Sequence, residues 1–265
     1  MDLNLKGRRA VVTGSTGGIG YAAARELASL GATVAINGRT QTRVDAAIAK
    51  LKGEVKGGTF VGAPGDLGGA DGANAIIRAV PDADILVNNA GIFEPKPFFD
   101  ISDEDWMRFF ETNVLSGVRL ARHYTPKMVK RGWGRVVFIS SESGLHIPVE
   151  MIHYGVTKTA QIAVARGLAE TVTGTGVTVN SVLPGPTMSE GVGDFMSKMA
   201  GGVANPDLEK MGRDFIRDHR PTSLLGRMAT IEEVANMIAY VCSPAASATS
   251  GAALRVDGGV VRAIP

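Results

Sequence analysis

The chain has 265 residues, of which 45% are hydrophobic and 20% charged, which is ample for a large core and excludes an intrinsically disordered chain. A formal net charge of +2, with no Lys/Arg-rich run, argues against nucleic acid as the main partner. Cys242 is the only cysteine, so no intramolecular disulfide can form. No stretch approaches the ~20 apolar residues of a membrane span, and the N-terminal MDLNLKGRR has no secretory pattern. A cytoplasmic protein that does not enter the membrane is expected.

Short β-branched runs alternate with helical stretches along the chain. RRAVVTG reads as the first strand, and GIGYAAARELASLG as a helix stopped at Gly31. ATVAIN is the second strand, and TQTRVDAAIAKLKG a helix capped by Thr40. The third strand lies in GGTFVGAPGDL, followed by a short helix over GADGANAIIRAVP. ADILVNNAG is the fourth strand, and a long helical region runs from about Ser102 to Lys130. GRVVFISS, a helix over 151–173 and GVTVNSVLPG follow; TIEEVANMIAYVC is a capped helix and GAALRVDGG the last strand. Residues 188–221 are rich in Met, Gly and polar residues and read as an insertion with the character of a lid. Alternating strands and helices predict an α/β fold, a Rossmann-like doubly wound parallel sheet in a single domain over 1–265. Ligands of such sheets bind beyond the carboxyl ends of the strands.

The segment TGSTGGIG sits there, with four glycines in seven residues between a strand and a helix. Glycines allow close backbone approach to a pyrophosphate, and the helix start offers unpaired N–H groups. Gly14, Gly18 and Gly20 form a G-x-x-x-G-x-G spacing; no Lys-Ser or Lys-Thr follows, so it is not a P-loop. After the second strand the sequence reads NGRT, with Arg39 where an acid would hold a free ribose 2′-hydroxyl. A guanidinium there fits a 2′-phosphate, which favours NADP while leaving NAD possible. The plain alternative is a turn with a solvated arginine.

A third signal is chemical. Ser141 ends the fifth strand, and Tyr154 and Lys158 lie four apart on one face of a helix. An ammonium beside a phenol lowers the phenol pKa and suits it to proton exchange with an alcohol oxygen. A serine hydroxyl could hold that oxygen as charge develops.

These motifs, in this order, resemble the short-chain dehydrogenase/reductase family over almost the whole chain, from about Leu5 to Gly259. TGSTGGIG is similar to its TGxxxGIG turn, NNAG to its strand-four motif, and Ser141, Tyr154 and Lys158 to its Ser-Tyr-x-x-x-Lys set. ETNV, NSVLPG and VDGG also match. The resemblance implies that Tyr154 is the general acid/base and that Lys158 tunes it and holds the nicotinamide ribose. It implies that Ser141 positions the substrate oxygen and that Asn113 helps hold a water linking Lys158 to solvent. For the cofactor it implies Gly14, Ser15, Thr16, Gly18, Ile19, Gly20, Arg39, Asp66, Leu67, Asn89, Gly91, Pro184, Gly185 and Thr187. Ser15 and Thr16 stand where NADP-preferring members often carry a second basic residue, so that preference rests on Arg39. The resemblance also implies a homotetramer or dimer.

The substrate is expected among Phe93, Leu145, His146, Met151, His153 and Val192, a mostly apolar wall suited to a small-molecule carbonyl or alcohol. Glu94, Glu142 and Glu190 are candidates for contacting a polar group. No Cys/His spacing suggests a metal. Two other readings stay open: a 3-oxoacyl thioester reductase docking an acidic carrier on Arg122, Lys127, Lys130 and Arg131, and a non-enzymatic dinucleotide-binding regulator.

Overall fold

A computed structural model describes residues 1–193 and 207–264. Seven parallel strands form the main sheet in the order β3-β2-β1-β4-β5-β6-β9. They are β1 (Arg9–Val12), β2 (Thr33–Ile36), β3 (Thr59–Gly62), β4 (Ile85–Asn88), β5 (Gly134–Ile139), β6 (Val177–Pro184) and β9 (Ala253–Val256). The order reverses between β1 and β4, and such a switch point opens a crevice at the carboxyl ends of the strands. Both faces of the sheet are covered, as parallel sheets require.

Side-chain alternation along the strands divides the core in two. Val12, Val87, Val137, Ile139 and Val182 pack against α1 (Gly18–Ser29), α2 (Gln41–Glu54) and α8 (Ile231–Cys242), through Leu27, Val44, Leu51, Val234 and Ile238. The alternate residues Val11, Leu86, Val136, Phe138 and Val179 pack against α3 (Ala70–Ala79), α5 (Ser116–Arg131) and α6 (Ile152–Thr171), through Ile76, Leu120, Tyr124 and Ala165. Burial of both faces explains why these strands read as unbroken apolar runs.

The caps fall where local chemistry puts them. Thr40 accepts from Arg43 N at the start of α2, and Thr230 with Glu233 forms a full capping box on α8. Gly31 adopts φ 96° just after α1, as its place as a helix stop requires.

The helical region over 102–130 is not one helix. It divides into α4 (Asp103–Phe110), a π turn (Glu111–Leu115) and α5. A π turn admits an extra residue per turn and re-aims the side chains on it, a device common at functional sites; here it carries Asn113. The 188–221 insertion contains α7 (Leu208–His219). Its residues 194–206, including much of the expected lid, lie outside the described residues. A second small sheet pairs β7 (Thr187–Met188) with β8 (Ala229–Thr230). Among the described residues no helix is long and apolar enough to cross a membrane.

Candidate active site

The glycine turn links β1 to α1. Gly14 and Gly18 take φ 60° and 56°, left-handed values that favour glycine. Gly20 is glycine for another reason: a Cβ there would lie 2.5 Å from the Gly14 carbonyl oxygen and too close to Asn89 Nδ2. The Asn89 amide props the turn open by donating to Thr13 O at 2.9 Å and Gly14 O at 3.2 Å. Ser15 is fully buried; its hydroxyl donates to Val12 O and accepts from Asn37 N. It therefore fastens β1 to β2 from inside. Thr16 lies against Gly38, and Ile19 packs on the core behind the turn.

The other positions named from sequence line the carboxyl ends of the same strands. Arg39 is exposed at the start of α2 and joins none of the ion pairs among the described residues. Asp66 is exposed in an open groove lined by Gly65, Gly68 and Gly69, while Leu67 is buried beneath it. Pro184 ends β6, Gly185 N donates to Val256 O, and Thr187 Oγ1 donates to Gly185 O.

Asn113, Ser141, Tyr154 and Lys158 come together beside this cleft. Asn113 is held on three sides: its Oδ1 accepts from Ile92 N at 2.7 Å, and its Nδ2 donates to Ile92 O and Thr157 Oγ1, each at 3.0 Å. Thr157 in turn donates to the Tyr154 carbonyl. Gly91 faces this group, since a Cβ on it would meet Asn113 Oδ1 at 3.3 Å and Lys158 Nζ at 3.5 Å. Lys158 Nζ lies 5.5 Å from the Tyr154 ring centre and donates to Ile139 O at 2.9 Å.

The protonation states differ from the sequence expectation. Burial pushes the Tyr154 phenol up to about 12; a hydrogen bond with Ser141 pulls it back, Glu142 raises it and Arg220 lowers it. Burial alone brings Lys158 down to about 7. The expected lowering of the phenol by the ammonium is not among the causes of its shift; low-dielectric surroundings disfavour the charged form of both groups.

Several expected substrate contacts are also corrected. His153 does not flank the cleft: it is buried, its ring 4.0 Å from Phe109 and 6.0 Å from Trp106, centre to centre. Glu94 pairs with Arg108 at 2.8 Å and Glu190 with Lys50 at 3.5 Å, both near the surface. Glu142 is paired with Arg220 at 3.0 Å, their side chains only 3% and 7% exposed, and Arg220 reaches Glu150 at 3.4 Å. Each of the three carboxylates therefore has a cationic partner within the chain. Phe93 remains at the mouth, 52% exposed and edge-on to the Tyr154 ring at 6.5 Å. Leu145 and His146 are exposed nearby, Met151 is half-buried, and Val192 packs on the small cluster of Ile216 and Met228. Of the basic patch, Arg131 pairs with Asp82 and Lys127 donates to Pro81 O. Among the described residues no three His, Cys, Asp or Glu side chains gather as a metal site. Two residues not singled out from sequence enter the site, Gln161 and Arg220. Gln161 is one helical turn from Lys158, a spacing that could have revealed it; Arg220 is remote in sequence from Glu142 and carries no such signal.

Residues 8–200 match the family described as short chain dehydrogenase. The chain belongs to the short-chain dehydrogenase/reductase family. It is an oxidoreductase of that family by the same comparison. It is 47% identical to the uncharacterized oxidoreductase YvaG of Bacillus subtilis (strain 168), over the full length of both chains. It is 33% identical to the 3-oxoacyl-[acyl-carrier-protein] reductase FabG of Aquifex aeolicus, covering 98% of this chain and 100% of that one. The solved structure of L-sorbose reductase from Gluconobacter frateurii, complexed with NADPH and L-sorbose, superposes with a TM-score of 0.92 at 29% identity, with all of both chains covered.

Proposed function

We propose that the protein reduces a small-molecule carbonyl with NADPH, Tyr154 delivering the proton. The observation that carries this reading is the gathering of Asn113, Tyr154 and the buried Lys158 beside the glycine turn, with Ser141 next to the phenol and burial pushing that phenol further from ionising. A protonated phenol is the form a reduction consumes, whereas alcohol oxidation needs the phenolate.

The glycine turn suits a dinucleotide: its left-handed glycines and the absence of a Cβ at Gly20 leave backbone accessible at a helix start. Gly14, Thr16, Gly18 and Gly20 would hold the pyrophosphate; Asp66 and Leu67 would take the adenine side, and Gly185 and Thr187 the nicotinamide side. Arg39, exposed and in no ion pair among the described residues, would fork onto a 2′-phosphate. A nicotinamide bound there would supply the hydride. Ser141 holds the substrate oxygen, Tyr154 gives it a proton, and Lys158 supports the phenolate left behind. Phe93 and Leu145 offer apolar cover at the mouth.

A titration of the purified protein with NADPH and NADH, followed by cofactor fluorescence, tests the cofactor assignment. Tighter NADPH binding that Arg39→Ala abolishes is expected. Equal or tighter NADH binding would remove Arg39 as a phosphate reader. A 3-oxoacyl thioester remains a second substrate reading, favoured by the FabG likeness over the whole chain.

A further inference from the structure

Gln161 lies three residues after Lys158 on α6 and is 1% exposed. A glutamine this deeply buried must satisfy both ends of its amide. It does so within the candidate site: its Oε1 accepts from Lys158 Nζ at 3.1 Å, and its Nε2 donates to the Asn113 main-chain carbonyl at 2.6 Å. Only this orientation puts an acceptor on the ammonium and a donor on the carbonyl. The amide thus stands between two members of the catalytic set.

We propose that Gln161 is a positioning residue, which keeps the Lys158 ammonium charged and fixed against the π turn that carries Asn113. This inference rests on the proposed role of Lys158 in the reduction. Around Lys158, α6 presents Tyr154 and Gln161, β5 presents the Ile139 carbonyl, the π turn presents Asn113, and the segment after β4 presents Gly91. Of these only Tyr154 titrates, and no carboxylate contributes to the lysine's shift. The charge is therefore held by two neutral acceptors, the Ile139 carbonyl and Gln161. Gln161 does with a side chain what a water between Lys158 and Asn113 would do, but an amide passes on no proton.

The test compares Gln161→Met, which fills the same space without an acceptor, with Gln161→Ala, which leaves room for a water. The Lys158 titration is read by 13C NMR of the protein labelled at lysine Cε, with the signal assigned from Lys158→Met. The pH profile of kcat for carbonyl reduction is read in parallel. A hydrogen bond lost from a charged group corresponds to about one to two pH units. Gln161→Met is expected to lower the Lys158 midpoint by that amount and to bring the alkaline limb of kcat down with it. Gln161→Ala is expected to shift both less, because a water can accept from the ammonium and donate to the carbonyl. A packing role predicts the reverse order, since alanine leaves the larger cavity. An unmoved midpoint in Gln161→Met, or an equal or larger shift in Gln161→Ala, would overturn the proposal. If Gln161→Ala does not fold, the midpoint in Gln161→Met decides alone. Because the NMR titration needs no turnover, a wild-type protein that reduced no carbonyl would count against the proposed function without obscuring this result.

Discussion

Replacing Arg220 with methionine should disturb both the stability of the protein and the ionisation of Tyr154. Arg220 follows α7 and reaches across the site to Glu142, the residue after Ser141, with Nε–Oε1 at 3.0 Å. Both side chains are almost wholly buried, and Glu142 Oε2 has no hydrogen-bond partner among the described residues. Without Arg220, that carboxylate keeps only its buried surroundings. Removing one partner of such a pair typically costs about 3–5 kcal/mol. For a chain of this size that amounts to a fall in Tm of roughly 6–20 °C. Glu142→Gln in the Arg220→Met background should recover part of the loss, because it removes the stranded charge. The phenol should respond as well. Glu142 raises the Tyr154 pKa and Arg220 lowers it, so the single variant loses the lowering partner and retains the raising one. The limb of the alcohol-oxidation profile at which the phenolate forms should move to higher pH. Thermal unfolding of the wild type, both single variants and the double variant measures the first effect, and kcat against pH the second. A loss below about 1 kcal/mol, the range of a surface pair, would refute the buried-pair reasoning, as would an oxidation limb that moved to lower pH.

Other outcomes follow from the same geometry. Gly20→Ala should destabilise the glycine turn and weaken NADPH binding together, since the Gly14 carbonyl that a methyl would strike is backbone and cannot swing away; denaturant unfolding and a fluorescence titration check this. Lys158 has a folded pKa near 7, below the unfolded value of about 10.4, so the folded state binds fewer protons between them. Its contribution is fully present above the unfolded pKa and is lost as pH falls through the folded one, with a limiting slope of about 1.4 kcal/mol per pH unit. Urea midpoints from pH 7 to 10, compared with those of Lys158→Met, should show that slope disappear in the variant.

The fold was legible because its signals are local and repeated. Apolar β-branched runs, caps such as Thr40 and Thr230, and Gly31 as a stop all lie within a few residues of what they specify. The π turn was not legible: α4 and α5 carry ordinary helical patterns, and the widened turn between them depends on where Asn113 must reach. The candidate site was legible where its residues come from one helix or one strand end, as for Ser141, Tyr154 and Lys158. Charges were misjudged because pairing is long-range. Glu142 looked available to a substrate until the chain brought Arg220 to it, and His153 looked open until Phe109 and Trp106 closed around it. The lowered phenol pKa expected from an adjacent lysine took account of charge alone, whereas burial sets the direction for both groups.

The most direct test follows NADPH consumption over a panel of ketones, aldehydes, keto sugars and 3-oxoacyl thioesters, for the wild type and for Tyr154→Phe. Phenylalanine keeps the ring beside Phe93 and removes only the acidic hydroxyl. The wild type should reduce at least one carbonyl, and Tyr154→Phe should lose nearly all turnover while still binding NADPH. A phenylalanine variant that turned over at the wild-type rate would show that the proton comes from elsewhere and would contradict the proposed chemistry.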